Sequence, residues 1–349
     1  MRFSVDGWDP GYGTSVQNDA EDLAESHARV DAGVEIPLAQ WRPVAPGDIE
    51  PPCTVLFVDG VRRIEAQLWI HAPGATDEPA PAICASYAAG VVRTTPTRAD
   101  VVVAETRRGF FTTAATASDI STRSDLWAAT HTAADPARPS AQVLSQALQR
   151  KLSELELICA ANARSSAATP GDDLLVIDGP LRGRTALPRT VALIKSHHVA
   201  YLPPDLNRLV GSLSPGQRTP LFLLGTTWDR FTWYFRLPGG AGSPWVGVVR
   251  LECSADLPAQ EAVEVANLSQ VSLPRFASEP FKEARAPQNL YPVSGLEREL
   301  RHRLGDSGLL RRELQVAAAR SVGASSGTRE TAAPQQDMSD DGSSGRLHT

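Results

Sequence analysis

Two apolar runs of strand length, VLFVDG (55–60) and LLVIDG (174–179), each close on Asp-Gly, with a stretch of helical periodicity between them. Taken singly, an Asp-Gly after an apolar run reads as a hairpin turn. The second is a poor hairpin, because Gly179-Pro180-Leu181-Arg182-Gly183 follows and the next apolar run, TVALIK, begins only at Thr190. Two buried strands that lie side by side and end on Asp place two carboxylates at one sheet edge. Like charges that close are costly unless a cation sits between them. A hard divalent ion held by Asp and Glu oxygens resolves that conflict.

The rest of the chain supplies the sheet those strands need. Residues 1–17 read as irregular, and DAEDLAESHARV (19–30) as a short helix with acidic residues first and His27 and Arg29 late. Pro43, Pro46, Pro51 and Pro52 punctuate a loop leading into CTVLFVDG (53–60). RRIEAQLWI (62–70), with Ile64, Ala66, Leu68 and Ile70 on one face, and PAICASYAAGVV (81–92) complete an expected three-stranded antiparallel meander, to which ADVVVAE (99–105) adds a strand. Leu144, Ala147, Leu148, Leu152, Leu155, Ile158 and Cys159 recur at helical spacing over 141–163. Strands follow at 173–179, 190–196, 220–225, 231–237 and 245–253, with helices near 258–267 and from Ser294. Strands first and helix–strand units later predict a mixed α/β chain with one main sheet and flanking helices. The expected organisation is an irregular or helical extension over 1–45, one domain over 46–320, and a tail over 321–349 too polar to fold.

Several function classes are excluded. With 34 basic against 40 acidic residues and a net charge of −6, nucleic-acid contact requires a local basic groove. Cys53, Cys84, Cys159 and Cys253 show no zinc-finger spacing, and Cys53, Cys84 and Cys253 sit in strand-like runs as expected buried thiols. No apolar stretch approaches the ~20 residues of a membrane helix and no signal peptide is visible, so the expectation is a soluble, reduced, cytoplasmic protein without membrane contact. No GxxxxGK[ST] occurs, so the chain does not power translocation itself. His197 and His198 are adjacent on a strand and point to opposite faces. In TTWDRFTWYF (226–235), Phe231, Trp233 and Phe235 alternate as a packed strand does, with base stacking the alternative.

FVDG (57–60), a helix carrying Glu in SELEL (153–157), LLVIDGPL (174–181), VALIKS (191–196) and NLYPVSGLERE (289–299) resemble, in this order, the motifs of the NurA nucleases. The resemblance spans about residues 50–305. It implies an RNase H-like α/β core and a Mn2+-dependent (or Mg2+-dependent) DNA nuclease with two ions. It further implies a homodimer working with a HerA-type hexameric ATPase in DNA end processing, repair or defence. Carried over residue by residue, Asp59 and Asp178 match the metal-binding aspartates. Glu156 matches the helical glutamate, with Glu154 the alternative. Lys195 matches a lysine that holds phosphate or the attacking water, and Tyr291 the tyrosine of a Tyr-Pro motif. Where the family has a histidine after that motif, this chain has Glu299, which is expected to face the acidic cluster as a further metal ligand while His302 faces solvent. The alternative for Glu299 is a pair with Arg303 at i, i+4. Arg62, Arg63, Arg182 and Arg184 flank the two aspartates as weak candidates for phosphate contact. A NurA-like scaffold that has lost catalysis and acts as an adaptor for the ATPase is the competing reading, favoured by the missing histidine.

Overall fold

A computed structural model of the chain describes residues 24–25, 28–71, 79–165, 171–181, 187–240 and 242–327. Its strands are β1 (Ala24–Glu25), β2 (Arg29–Asp31), β3 (Thr54–Ile70), β4 (Ala80–Thr94), β5 (Ala99–Thr112), β6 (Ile120–Ser121), β7 (Leu126–His131), β8 (Asp173–Asp178), β9 (Thr190–Ile194), β10 (Val199–Ala200), β11 (Phe222–Gly225), β12 (Asp229–Arg236) and β13 (Val248–Ser254). The helices are α1 (Ser140–Ser165), α2 (Pro204–Ser212), α3 (Ala259–Ser272), α4 (Tyr291–Arg303) and α5 (Ser307–Gly327).

The main sheet runs in the order β2-β11-β12-β13-β9-β8-β3-β4-β5-β7-β6. At its centre β8 lies parallel to both β3 and β9, while β4 runs antiparallel between β3 and β5. A five-strand core ordered β5-β4-β3-β8-β9, with only β4 reversed and α1 lying between β7 and β8 in the chain, is the RNase H-like arrangement that the motif resemblance implies. Helix α1 buries Leu144, Leu148, Leu152 and Leu155 against Leu56, Val58, Leu175 and Ile177 on one face of the sheet. On the other face α3 packs Ala262, Val265 and Ala266 against Val191, Trp233 and Leu251, while α4 sets Leu296, Leu300 and Leu304 on Val61 and Ala88.

Four local expectations are corrected. Asp59-Gly60 is not a turn: β3 is one 17-residue strand running through it, with Asp59 opposite Gly90 and Gly60 opposite Ala89. Continuous pairing with β4 outweighs the local turn preference. The described residues within 19–30 form strands rather than a helix, because β10 and β11 offer backbone partners to β1 and β2; the remainder of that segment and residues 1–17 lie outside the described residues. Residues 28–45 are part of the same fold rather than an extension: β2 joins the main sheet, and Glu35 takes both Nη atoms of the buried Arg218 at 2.8 Å. Helix α5 continues past Ser321 to Gly327, since docking of Leu310 and Leu314 nucleates it and extension along an Ala-rich run costs little. Residues 328–349 lie outside the described residues.

Trp233 and Phe235 are fully buried and Phe231 nearly so, as a packed strand requires. Cys84, Cys159 and Cys253 are buried, whereas Cys53, one residue ahead of β3, is exposed. No helix among the described residues is long and apolar enough to cross a membrane.

Candidate active site

Strand parity assembles the site. Phe57, Val176 and Leu193 bury on one face of β3, β8 and β9, and two residues further along each strand, on that same face, come Asp59, Asp178 and Lys195. The parallel register ends at Val58 opposite Ile177, so Asp59 and Asp178 occupy neighbouring positions one step on. Lys195 Nζ donates to Asp178 Oδ2 at 2.7 Å and to Asn289 Oδ1 at 2.5 Å.

Two glycines admit the helices that complete the cluster. A Cβ on Gly60 would lie 2.6 Å from both Glu156 Oε1 and Leu152 Cδ1 of α1. On the opposite face a Cβ on Gly90 would lie 3.1 Å from Leu296 and 3.2 Å from Leu300 of α4. Gly60→Ala is therefore expected to lower stability by about 1–3 kcal/mol, the usual cost of overpacking a filled site. Denaturant titration checks this; an unchanged midpoint would contradict the close approach of α1.

Glu156 is the glutamate of SELEL that turns inward, being only 5% exposed. Glu154 instead faces solvent and takes Lys151 Nζ at 2.8 Å. The electrostatics follow from crowding. Burial foremost, then the charges of Asp178, Glu156 and Glu297, hold the Asp59 carboxyl well above the usual carboxylate range, with Lys195 acting in the opposite sense.

Glu299 does not join this cluster. It is exposed and accepts from Arg303 Nε at 2.8 Å, and His302 is exposed as expected. The inward carboxylate of α4 is Glu297, which takes Arg301 at 2.6 Å and also Arg285. Burial would raise the Glu297 carboxyl, but hydrogen bonding from Arg301 and the charge of Arg285 hold it below its usual range. The signal for Glu297 is present in the sequence. At about 100° per residue it lies roughly 60° from the middle of the Leu296–Leu300–Leu304 stripe, whereas Glu299 lies roughly 100° away on the other side.

Tyr291 bonds to a carboxylate other than those around Asp59. Its hydroxyl donates to Glu279 Oε2 at 3.1 Å, and Lys282 Nζ lies 5.6 Å from its ring centre. Arg62 donates to Ser145 of α1 and Arg63 to Glu65 and the Gly305 carbonyl, so both serve packing. Arg182 and Arg184 lie outside the described residues. His197 is buried with its Nε2 3.1 Å from the Val248 carbonyl, while His198 is exposed. Two residues escaped sequence reading altogether. Buried Asn289 touches Lys195, and buried Glu252 takes Arg230, Arg250 and the Leu181 backbone N–H.

Among the described residues no three carboxylate, His or Cys side chains converge tightly enough, as they stand, to ligate one ion. Lys195 engages Asp178, and Arg285 and Arg301 engage Glu297. The donor chemistry nevertheless fits a hard divalent cation: Asp59, Asp178 and Glu156 are oxygen donors, and Asp59 is raised by burial first and then by the charges of Asp178 and Glu156, both of which a bound cation would offset. Those three residues would hold such an ion.

No protein-family model matches the chain, and no curated protein matches it. Among solved structures, the chain is similar to the NurA nuclease from Sulfolobus solfataricus, with 10% identity, 84% of this chain and 89% of that chain covered, and a TM-score of 0.42. It is also similar to the catalytic domain of human Endonuclease V, at 17% identity, with 71% of this chain and 82% of that chain covered and a TM-score of 0.31. Endonuclease V from Ciona intestinalis, solved in complex with a 24mer DNA containing an inosine followed by a ribo-adenosine, matches at 10% identity over 81% of this chain and 92% of that chain, with a TM-score of 0.28.

Proposed function

We propose that the chain is a metal-dependent deoxyribonuclease that hydrolyses phosphodiester bonds at the Asp59–Asp178–Glu156 cluster. The observation that carries this reading is the set of carboxylates gathered where Asp59 within β3 lies beside Asp178 at the end of β8, with burial first and the charge of Asp178 next raising the Asp59 carboxyl against the pull of Lys195. One or two Mn2+ or Mg2+ ions bound there would supply a hydroxide near neutral pH and neutralise the scissile phosphate. Asp59 and Asp178 anchor from the sheet and Glu156 from α1. Lys195 uses two of its three N–H donors on Asp178 and Asn289 and keeps one for a non-bridging phosphate oxygen. Glu297, held by Arg285 and Arg301, borders the cluster from α4.

The same reading includes a homodimer and a HerA-type ring ATPase as partner, supported by the motif resemblance and by the lack of a P-loop in the chain. Co-expression with such an ATPase should give one peak in size-exclusion chromatography at physiological salt; two separate peaks would remove the partner.

The direct test is cleavage of end-labelled DNA by the purified chain with Mn2+ or Mg2+ and with chelator. Cleavage that requires the divalent ion supports the nuclease. Its absence with every divalent ion, beside intact ATPase binding, would instead establish the adaptor. Within this assay Glu299→Gln should stay within about twofold of wild type, whereas Glu297→Gln should lose about 10–100-fold, the range for residues that orient a metal site without ligating it. The reverse order would return Glu299 to the site.

A further inference from the structure

Lys195 is held from two sides. Its partner in the sheet is Asp178 on the neighbouring strand; its partner outside the sheet is Asn289, fully buried just ahead of α4. The backbone N–H of Asn289 donates to the Arg285 carbonyl at 2.9 Å, fixing the residue in its loop. An ammonium group only donates hydrogen bonds, so the amide must turn its oxygen toward Lys195. That orientation leaves Asn289 Nδ2 buried without a hydrogen bond of good geometry. On its far side stands Glu283, whose carboxyl burial would raise but which Ser294, Asn289 and Arg285 hold below its usual range.

Burying an amide is unfavourable unless both of its ends are used, and here Nδ2 faces Glu283 while the oxygen serves Lys195. Here the oxygen supplies a second acceptor to a flexible lysine. A long side chain tied at a single point swings about that point, and two acceptors from different elements hold Nζ in place. The second acceptor is also neutral, so it restrains the ammonium without adding to the negative charge that already crowds Asp59.

We infer that Asn289 is a positioning residue, which fixes the Lys195 ammonium against Asp178 and acts on the reaction only through Lys195. The restraint follows from geometry alone; its effect on cleavage rests on the nuclease reading.

The composition of the chain makes the test clean, because Lys151, Lys195 and Lys282 are its only lysines. Acylation of the full chain with an amine-reactive ester, read site by site by mass spectrometry, reports Lys195 with Lys151 and Lys282 as internal standards. Side-chain exposures of 9%, against 40% and 55%, make Lys195 the slowest of the three. In Asn289→Ala its rate relative to Lys151 should rise about tenfold, the effect of losing one charge-assisted hydrogen bond. Asn289→Asp keeps an acceptor in place and should restore protection. In DNA cleavage, Asn289→Ala should lower kcat and leave KM within about twofold, since the amide does not touch substrate. Unchanged Lys195 labelling in a folded Asn289→Ala chain overturns the inference. Should that variant fail to fold, Asn289→Ser, whose shorter side chain withdraws the acceptor, gives the same reading. A wild-type chain that cleaves no DNA would remove the nuclease reading, and the labelling contrast would still decide the restraint by itself.

Discussion

Asp59→Asn is expected to stop cleavage and, in the same variant, to raise the thermal midpoint of the metal-free protein at neutral pH. Loss of one anionic ligand from a metal site forfeits several kcal/mol of transition-state stabilisation, so the rate should fall by at least about 10³-fold. The gain in stability has its own cause. The native Asp59 carboxyl keeps its proton to a higher pH than the 3.8 of an unperturbed aspartate, because it is buried and faces Asp178, Glu156 and Glu297. The native state therefore binds more protons than the unfolded chain between those two values, and stability falls as pH rises through that window. Asparagine has no proton to lose. The variant should melt above wild type at pH 7, and the difference should shrink as pH falls through the folded-state range and vanish below about 3, where Asp is protonated in both states. Wild-type cleavage in the variant would refute the role of Asp59; a lower midpoint at pH 7 would refute the charge crowding.

Glu252→Ala should produce the largest loss of stability of any single substitution considered. Glu252 is fully buried in β13 and receives Arg230 Nε at 2.7 Å and Arg250 Nη2 at 3.0 Å on one oxygen. Its other oxygen accepts the Leu181 N–H at 3.2 Å. Removing it strands two buried guanidinium groups, and breaking a buried pair in this way costs about 3–5 kcal/mol. The change also releases the chain that leaves Asp178 through Gly179 and Pro180, so cleavage should weaken as well. Denaturant unfolding at pH 7 is the measurement, and a loss below about 1 kcal/mol would show that Arg230 and Arg250 find other partners. The rings of Trp228 and Tyr201, whose centres lie 4.5 Å and 4.6 Å from the two guanidinium groups, and the neutral acceptors beside them do not replace the charge of a carboxylate.

The sequence by itself determined those parts of the site that depend on local periodicity. Period-two alternation put Asp59, Asp178 and Lys195 on the face already marked by Phe57, Val176 and Leu193. Period-3.6 spacing set Glu156 four residues from Leu152 and three from Cys159, inside the buried stripe of α1, and left Glu154 outside it. The same rule applied to α4 from Val293 and Leu296 would have chosen Glu297 over Glu299. What only the tertiary structure decided depends on partners far away in the chain. Asp59-Gly60 continues a strand because β4 pairs across it, and Ala24–Glu25 and Arg29–Asp31 are strands because β10 and β11 lie open beside them. Asn289 and Glu252 carry no local pattern that separates them from ordinary polar residues. Their roles come from Lys195, 94 positions away, and from Leu181, 71 positions away. A backbone or side-chain hydrogen bond forms with whichever group folding brings within about 3 Å. The residue that receives it bears no mark of its partner until the sheet has closed around both.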